Sequence, residues 1–364
     1  MKIATKRTVT AVTALLLTAG TLTACAPGTP AENTGGATNN AANATIGLLL
    51  PESKTTRYES YDRPLFEAKI KDLCADCKVV YANADQDAAK QQQQAESALT
   101  QGVDVLVLDP VDSSAAASIV ASAKSQNVPV ISYDRLIKSN QLAFYLSFDN
   151  EQVGILQGKA LVEKLKADGA TSGGILMVNG SPTDNNATLF KKGAHSAIDG
   201  SGFDVLAEYD TPDWSPDKAQ EFVAGQLTKF SGQIIGVYAA NDGTAGGAIA
   251  AMKAGGVSPI PPVTGQDAEL AAIQRIVTGD QFMTVYKALK LEAETAAQLA
   301  MDIVTGKELT GDSADTDGVP TTLLTPVVVT TANIMDTVVK DGFYTVADIC
   351  TADYASACAA AGIK

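Results

Sequence analysis

The chain has 364 residues, 46% of them apolar and 19% charged, enough for more than one packed core. Its net charge of −14 argues against nucleic acid and against an anionic membrane surface as partners. One histidine, His195, is too few for a histidine-based zinc site and makes a Ser-His-Asp triad a poor reading.

At the start, Lys2, Lys6 and Arg7 precede an apolar stretch through Val12 and Leu15-Leu16-Leu17. It is too short to span a bilayer and has the layout of an export signal. It ends in Leu22-Thr23-Ala24-Cys25, small residues before a cysteine, and this resembles a bacterial lipobox with Cys25 as the lipidated first residue. An ordinary signal peptide with a chance cysteine is the alternative. Residues 1–24 are thus read as a lipoprotein signal peptide. Residues 25–44, rich in Ala, Gly, Thr and Asn, are read as a flexible tether. Of five cysteines, four remain, in two local pairs: Cys74/Cys77 and Cys350/Cys358. Export implies an oxidising compartment, so two structural bridges are favoured over free thiols.

From Thr45 the pattern is regular. Strands are predicted at Ile46–Leu50, Val79–Tyr81, Val103–Leu108 and Val128–Ser132, with helices near 58–73, 91–99 and 113–126 between them. The alternation restarts with a helix over 152–166. Strands follow at 174–178, 205–207, 234–238, 262–264 and 282–286, separated by helices over 187–199, 216–230, 245–254 and 268–277. A long helix covers 289–304, and Val319–Thr331 is an extended Thr/Val-rich stretch. Near-continuous apolar strands alternating with helices specify parallel sheets covered on both faces. The fold class is α/β, with two Rossmann-like lobes. The late extended stretch implies that the chain crosses between them more than once.

Polar and aromatic residues recur after the strands: Arg57-Tyr58, Asp134-Arg135, Asp184 to Asn186, Asp210 to Trp214, Asn241-Asp242, Gln266-Asp267 and Lys287. In open parallel sheets, ligands bind beyond the carboxyl ends of the strands. Two such rims facing each other make a cleft. Carboxylates, amides, guanidinium forks and flat rings suit a sugar, with hydroxyls at its edge and C–H groups on its faces. A phosphate would call for a glycine-rich loop at a helix start, and Gly246-Gly247 lacks that layout. Each residue also has a plain structural reading: Asp134–Arg135 as a surface ion pair, Asp184 to Asn186 as a helix cap, Trp214 as core. His195, beside Lys191 and Lys192, is read as solvated.

The segments Ser132-Tyr133-Asp134-Arg135-Leu136-Ile137, Ser147-Phe148-Asp149-Asn150-Glu151 and Ser181-Pro182-Thr183-Asp184-Asn185-Asn186-Ala187 resemble D-xylose-type sugar-binding proteins of bacterial ABC transporters. So do Asn241-Asp242-Gly243-Thr244-Ala245-Gly246-Gly247, Gly265-Gln266-Asp267-Ala268 and Thr284-Val285-Tyr286-Lys287, in the same order, over about residues 45–346. The resemblance implies the type I periplasmic-binding-protein fold with a three-strand hinge, no enzymatic activity and no cofactor or metal. It implies sugar contacts from Arg57, Asp134, Arg135, Asp184, Asn186, Asn241, Asp267 and Lys287, with Tyr58 and Trp214 as stacking rings. Tyr58 stands where xylose binders have Trp, and relatives with the same motifs accept glucose, galactose or arabinose. The expected lobes are 45–147 plus 287–322 and 148–286 plus 323–346, with 347–364 as a C-terminal tail outside the resemblance. The expected protein is a monomeric extracytoplasmic receptor, held at the cell membrane only by lipidated Cys25. It hands a monosaccharide, D-xylose first, to an ABC permease; a sensory or chemotactic receptor for another monosaccharide is the alternative.

Overall fold

A computed structural model describes residues 41–364. The export signal, Cys25 and most of the tether lie outside the described residues. Among the described residues no helix is long and apolar enough to cross a membrane.

The first half builds β1 (Thr45–Leu50), α1 (Arg63–Leu73), β2 (Lys78–Asn83), α2 (Ala88–Thr100), β3 (Val105–Leu108), α3 (Ala117–Ser125), β4 (Val130–Tyr133) and β5 (Phe144–Phe148). Strand β5 is a finding beyond the predicted alternation. It is reached from β4 without an intervening helix, so a strict strand–helix rhythm passes over it. A π-type turn over Tyr58–Asp62 leads into α1, where one continuous helix was expected.

The second half runs through α4 (Asn150–Ala167), β6 (Gly174–Asn179), α5 (Asn185–Ile198), β7 (Asp204–Asp210), α6 (Pro216–Lys229), β8 (Ile234–Ala239), α7 (Asp242–Ala254), α8 (Leu270–Thr278) and β9 (Thr284–Tyr286). The strand expected over 262–264 is only a single bridge, Val237 to Val263. Pro261 and Pro262 have no N–H to donate to a ladder. Helix α9 (Leu289–Val304) returns to the first half, where its buried face of Ala293, Ala296, Ala297 and Ala300 joins the core under α1. The chain ends in β10 (Thr321–Leu324), β11 (Val327–Val329), α10 (Val346–Ile349) and α11 (Ala355–Ala360).

The first sheet has the order β10-β5-β4-β3-β1-β2 and is parallel throughout. The second has the order β7-β6-β8, also parallel, and β11 pairs antiparallel with β9. Buried strands with helices on both faces explain the unbroken apolar runs Leu48-Leu49-Leu50 and Val105 to Leu108. The chain crosses between the halves three times: from β5 into α4, from β9 into α9, and from β10 to β11 through Thr325-Pro326. These crossings form the three-strand hinge. Helices α4 and α5 pack tightly; a side chain at Gly154 would lie 2.0 Å from the Phe190 carbonyl oxygen. Cys74 is bonded to Cys77, and Cys350 to Cys358.

Candidate functional site

The loops after the strands converge on one small cavity between the two halves. Arg57 and Tyr58 enter it from the turn after β1, and Asp134 and Arg135 from the end of β4. Asp184 and Asn186 come from the start of α5, Trp214 from the loop after β7, and Asn241 from the start of α7. Asp267 and Lys287 enter beside and after β9. All ten residues singled out in the sequence line this cavity, and all ten are buried. Thr55, Phe190 and Gln266 complete the wall. Gln266 sits beside Asp267 in a segment already marked; Thr55 and Phe190 carry no such signal.

The backbone spends strain to aim these groups. Asp134, Trp214 and Asp267 hold φ of 54°, 53° and 96°, a region L-residues seldom occupy, and such strain clusters at functional sites. The outer edge of the Trp214 indole lies against Gly180 just after β6, where a Cβ would sit 2.0 Å from it. Its Nε1 donates to Asp184 Oδ2 at 3.1 Å, and it meets Phe190 edge-on with centroids 6.3 Å apart. Trp214 is thus both packed and cavity-lining.

Three cations are pinned by carboxylates. Arg57 donates from Nε and Nη2 to both oxygens of Asp62 at 2.8 and 2.6 Å, from Nη1 to Asp134 at 2.9 Å, and from Nη2 to Glu292 at 2.7 Å. Its fork is therefore filled by protein. Arg57 orients Asp134 rather than offering a free fork to a ligand. Arg135 Nε lies 3.0 Å from Asp184 and 3.5 Å from Asp109, and its Nη2 donates to the Tyr58 hydroxyl at 3.1 Å. Lys287 Nζ bridges Asp134 at 3.4 Å and Asp267 at 3.2 Å. Asp62, Asp109 and Glu292 are not among the expected site residues: they hold Arg57 and Arg135 from behind the wall, Asp62 from the π-type turn, Asp109 from just after β3 and Glu292 from the first turn of α9, and none of them lines the cavity.

Burial pushes the Asp134 carboxyl up, but Arg57 and Lys287 outweigh it and hold it below the usual carboxylate range. For Glu292, Asp109 and Asp184 burial wins, and their carboxyls are pushed up despite the nearby arginines. The cavity wall pairs three carboxylates (Asp134, Asp184, Asp267) with three cations (Arg57, Arg135, Lys287), so it offers no uncompensated positive charge to an anion and suits a neutral polyol. Asn186 Oδ1 and Gln266 Oε1 are buried acceptors with no hydrogen-bond partner, on residues that line the cavity. Such atoms call for donors.

Some post-strand residues also serve the structure, and Asp242 serves it alone. Asp184 caps α5 by accepting from Asn186 N at 2.8 Å, besides facing the cavity. Asn241 caps α7. Asp242 accepts from Gln281 at 2.8 Å, Thr284 at 2.9 Å and Glu269 N at 2.9 Å, and does not line the cavity. Asp134 and Arg135 are buried and do not pair with each other as a surface ion pair would. His195, expected in solvent, is half-buried between Asp199 and Glu208, each at 3.1 Å.

The halves also touch directly around the cavity. Ser113 N donates to Thr183 O at 3.0 Å, Asn185 N to Ser113 Oγ at 3.1 Å, and Asn186 Nδ2 to Asp134 O at 3.1 Å. Thr56 N donates to Glu269 Oε1 at 3.2 Å. Desolvation, and after it Asp267, push the Glu269 carboxyl up to about 7 from an ordinary 4.5. The folded state keeps a proton that the unfolded chain has released. Its stabilising contribution is full below pH 4.5, is lost as pH rises to about 7, and stays lost above. Glu269→Gln retains an acceptor for Thr56. It should raise the urea midpoint at pH 8 and leave it unchanged at pH 4; a lower midpoint at pH 8 would contradict the assignment.

Two parallel α/β halves, a three-strand hinge and a buried polar cavity between them define the class of two-lobed type I binding proteins. Residues 46–308 match the periplasmic binding protein domain family. The chain is 40% identical over 317 residues to the D-xylose-binding periplasmic protein of Escherichia coli, covering 84% of this chain and 94% of that protein. It is 30% identical to a multiple sugar-binding periplasmic receptor of Rhizobium radiobacter, over 84% and 92% of the two chains. Among solved structures, an ABC transporter solute binding protein from Clostridium phytofermentans with bound β-D-glucose superposes with a TM-score of 0.76 at 28% identity, covering 84% of this chain and 99% of that one. The chain belongs to the periplasmic-binding-protein family.

Proposed function

We propose that this chain is the extracytoplasmic receptor of an ABC import system and captures a monosaccharide, D-xylose, between lobes 45–147 plus 287–322 and 148–286 plus 323–346. The observation that carries this reading is the small cavity lined by buried, mostly polar side chains from both halves of the chain. Asn186 and Gln266 accept from hydroxyls, Asp134 and Asp267 accept while held by Lys287, and Arg135 donates. Trp214 and Phe190 offer ring faces to sugar C–H groups. Each half supplies part of the wall, so the sugar favours the closed arrangement over the open one. The site binds without turning over. Its carboxylates are tied to Arg57, Arg135 and Lys287, and no pair of them stands free as acid and base across a glycosidic bond. The 40% identity to a D-xylose binder favours the pentose. The glucose-bound neighbour and Tyr58 make hexoses the competitors to test.

A thermal-shift screen of the mature protein against D-xylose, L-arabinose, D-glucose and D-galactose should show the largest rise with D-xylose. A larger rise with a hexose would reassign the ligand, and no rise with any of them would remove the sugar reading. Lipidation at Cys25 would hold the receptor at the membrane. Cys25→Ala should then release the protein into the medium, since anchoring rests on acyl chains there. Retention of the mutant at the wild-type level would refute the anchor.

A further inference from the structure

The C-terminal tail is the part of the chain that the sugar site does not use. It is docked: Ile349, Cys358 and Ile363 are buried in one apolar cluster with Ile273, Ile276 and Val277 of α8. The Asp348 and Ile349 carbonyls accept from Gln274 on the same helix, each at 3.4 Å. Helix α11 is too short to hold itself, and the Cys350–Cys358 bridge closes the tail around it. The tail is thereby fixed to the second half of the molecule.

A long side chain from the first half packs against this cluster. Tyr61 comes from the π-type turn whose first residue, Tyr58, lines the cavity. The Tyr61 ring lies 4.4 Å from that of Phe343 and meets Tyr344 edge-on at 6.2 Å. Phe343 in turn lies 5.3 Å from Tyr286, the residue before the β9-to-α9 hinge crossing. Beside this cluster, Thr56 of the first half is bonded to Glu269 of the second.

From this we infer a clasp: Phe343 and Tyr344, carried by the second half in the cluster where the tail docks, grip Tyr61 of the first half and bias the lobes toward closure without touching the ligand. Opening the hinge pulls Tyr61 off two rings and exposes them to water. The apparent affinity of a site that is complete only when closed scales with the closed population. The clasp thus sets sugar affinity from outside the cavity. Its affinity effect rests on the sugar-binding reading; its effect on lobe closure does not.

The test is small-angle scattering of the ligand-free mature protein, with D-xylose titration alongside, on Tyr61→Ala, Phe343→Ala and Tyr61→Phe. The two alanine variants approach the same contact from opposite halves, so a fold defect in one does not spoil the other. Both should scatter as a more open particle than wild type when ligand-free and return to the wild-type profile when saturated. Their affinity should fall about three- to tenfold, the range of a lost aromatic pair. Tyr61→Phe, which keeps the ring contact and loses only the hydroxyl that hydrogen-bonds Tyr344, should stay closer to wild type than either alanine variant in both. Ligand-free profiles of both alanine variants that superpose on wild type would overturn the clasp, as would an affinity loss with no change in opening. If no monosaccharide binds even the wild type, the sugar reading fails, and the ligand-free profiles alone decide the clasp.

Discussion

Arg57→Ala is expected to destabilise the ligand-free protein by about 3–5 kcal/mol, the usual cost of removing one partner from a buried ion cluster. Arg57 is buried and its guanidinium holds Asp62, Asp134 and Glu292. Asp134 is the critical partner, because its carboxyl is kept ionised below the usual range by Arg57 and Lys287. Without Arg57 it must lose its charge or remain buried and half-compensated. A loss of this size is a large share of the ~5–15 kcal/mol that holds a typical domain together. Glu292→Gln is the contrasting case. Burial already pushes that carboxyl up, so an amide mimics its protonated form and the urea midpoint should move little. If Arg57→Ala shifts the midpoint no more than Glu292→Gln does, the cluster does not hold the site together.

Arg135→Ala should weaken D-xylose binding at least tenfold, about 1.4 kcal/mol. The mutation removes a cation from the cavity wall, and hydrogen bonds to charged groups are worth about 1.5–3 kcal/mol each. It also frees the Tyr58 hydroxyl and Asp184, which Arg135 holds at 3.1 and 3.0 Å. The stability cost should be smaller than for Arg57→Ala. The partners of Arg135, Asp109 and Asp184, have carboxyls already pushed up by burial and can take a proton when the guanidinium is gone. Trp214→Ala should lose comparable affinity by removing a ring face and leaving a space over Gly180. Lys191→Ala, on a half-exposed pair with Glu208 and Asp210, is the control and should leave binding unchanged. Calorimetry decides between these outcomes, and wild-type affinity in both Arg135→Ala and Trp214→Ala would mean the cavity is not the binding site.

Much of this site was legible in the sequence because a parallel sheet sends every ligand-facing side chain to one kind of place, the residues just past a strand. That rule found Asp134, Arg135, Asp184 and Lys287 from position alone. It could not rank them. Asp242 and Asn241 are adjacent after β8, yet one braces a loop and the other lines the cavity, and only the backbone path separates them. The rule was also blind to Asp62 and Glu292, which reach Arg57 from a turn and from the first turn of a helix. The fold was read with the same strengths and gaps. Long apolar runs marked the central strands, while β5 was missed because the segment before it is a loop, and the tail lay outside the resemblance, its few large apolar residues being spread among alanines. The hinge was legible at Val319–Thr331 because an extended Thr/Val stretch after a completed helix had nowhere else to go.

The central claim, that this cavity holds a monosaccharide, is tested most directly by a crystal structure of the mature protein saturated with D-xylose. The account predicts one sugar between the lobes, with hydroxyls donating to Asn186 Oδ1 and Gln266 Oε1, Arg135 donating to sugar oxygens, and the Trp214 ring against a face of the pyranose. A sugar bound elsewhere, or those two acceptors still without donors in a sugar-saturated crystal, would contradict it.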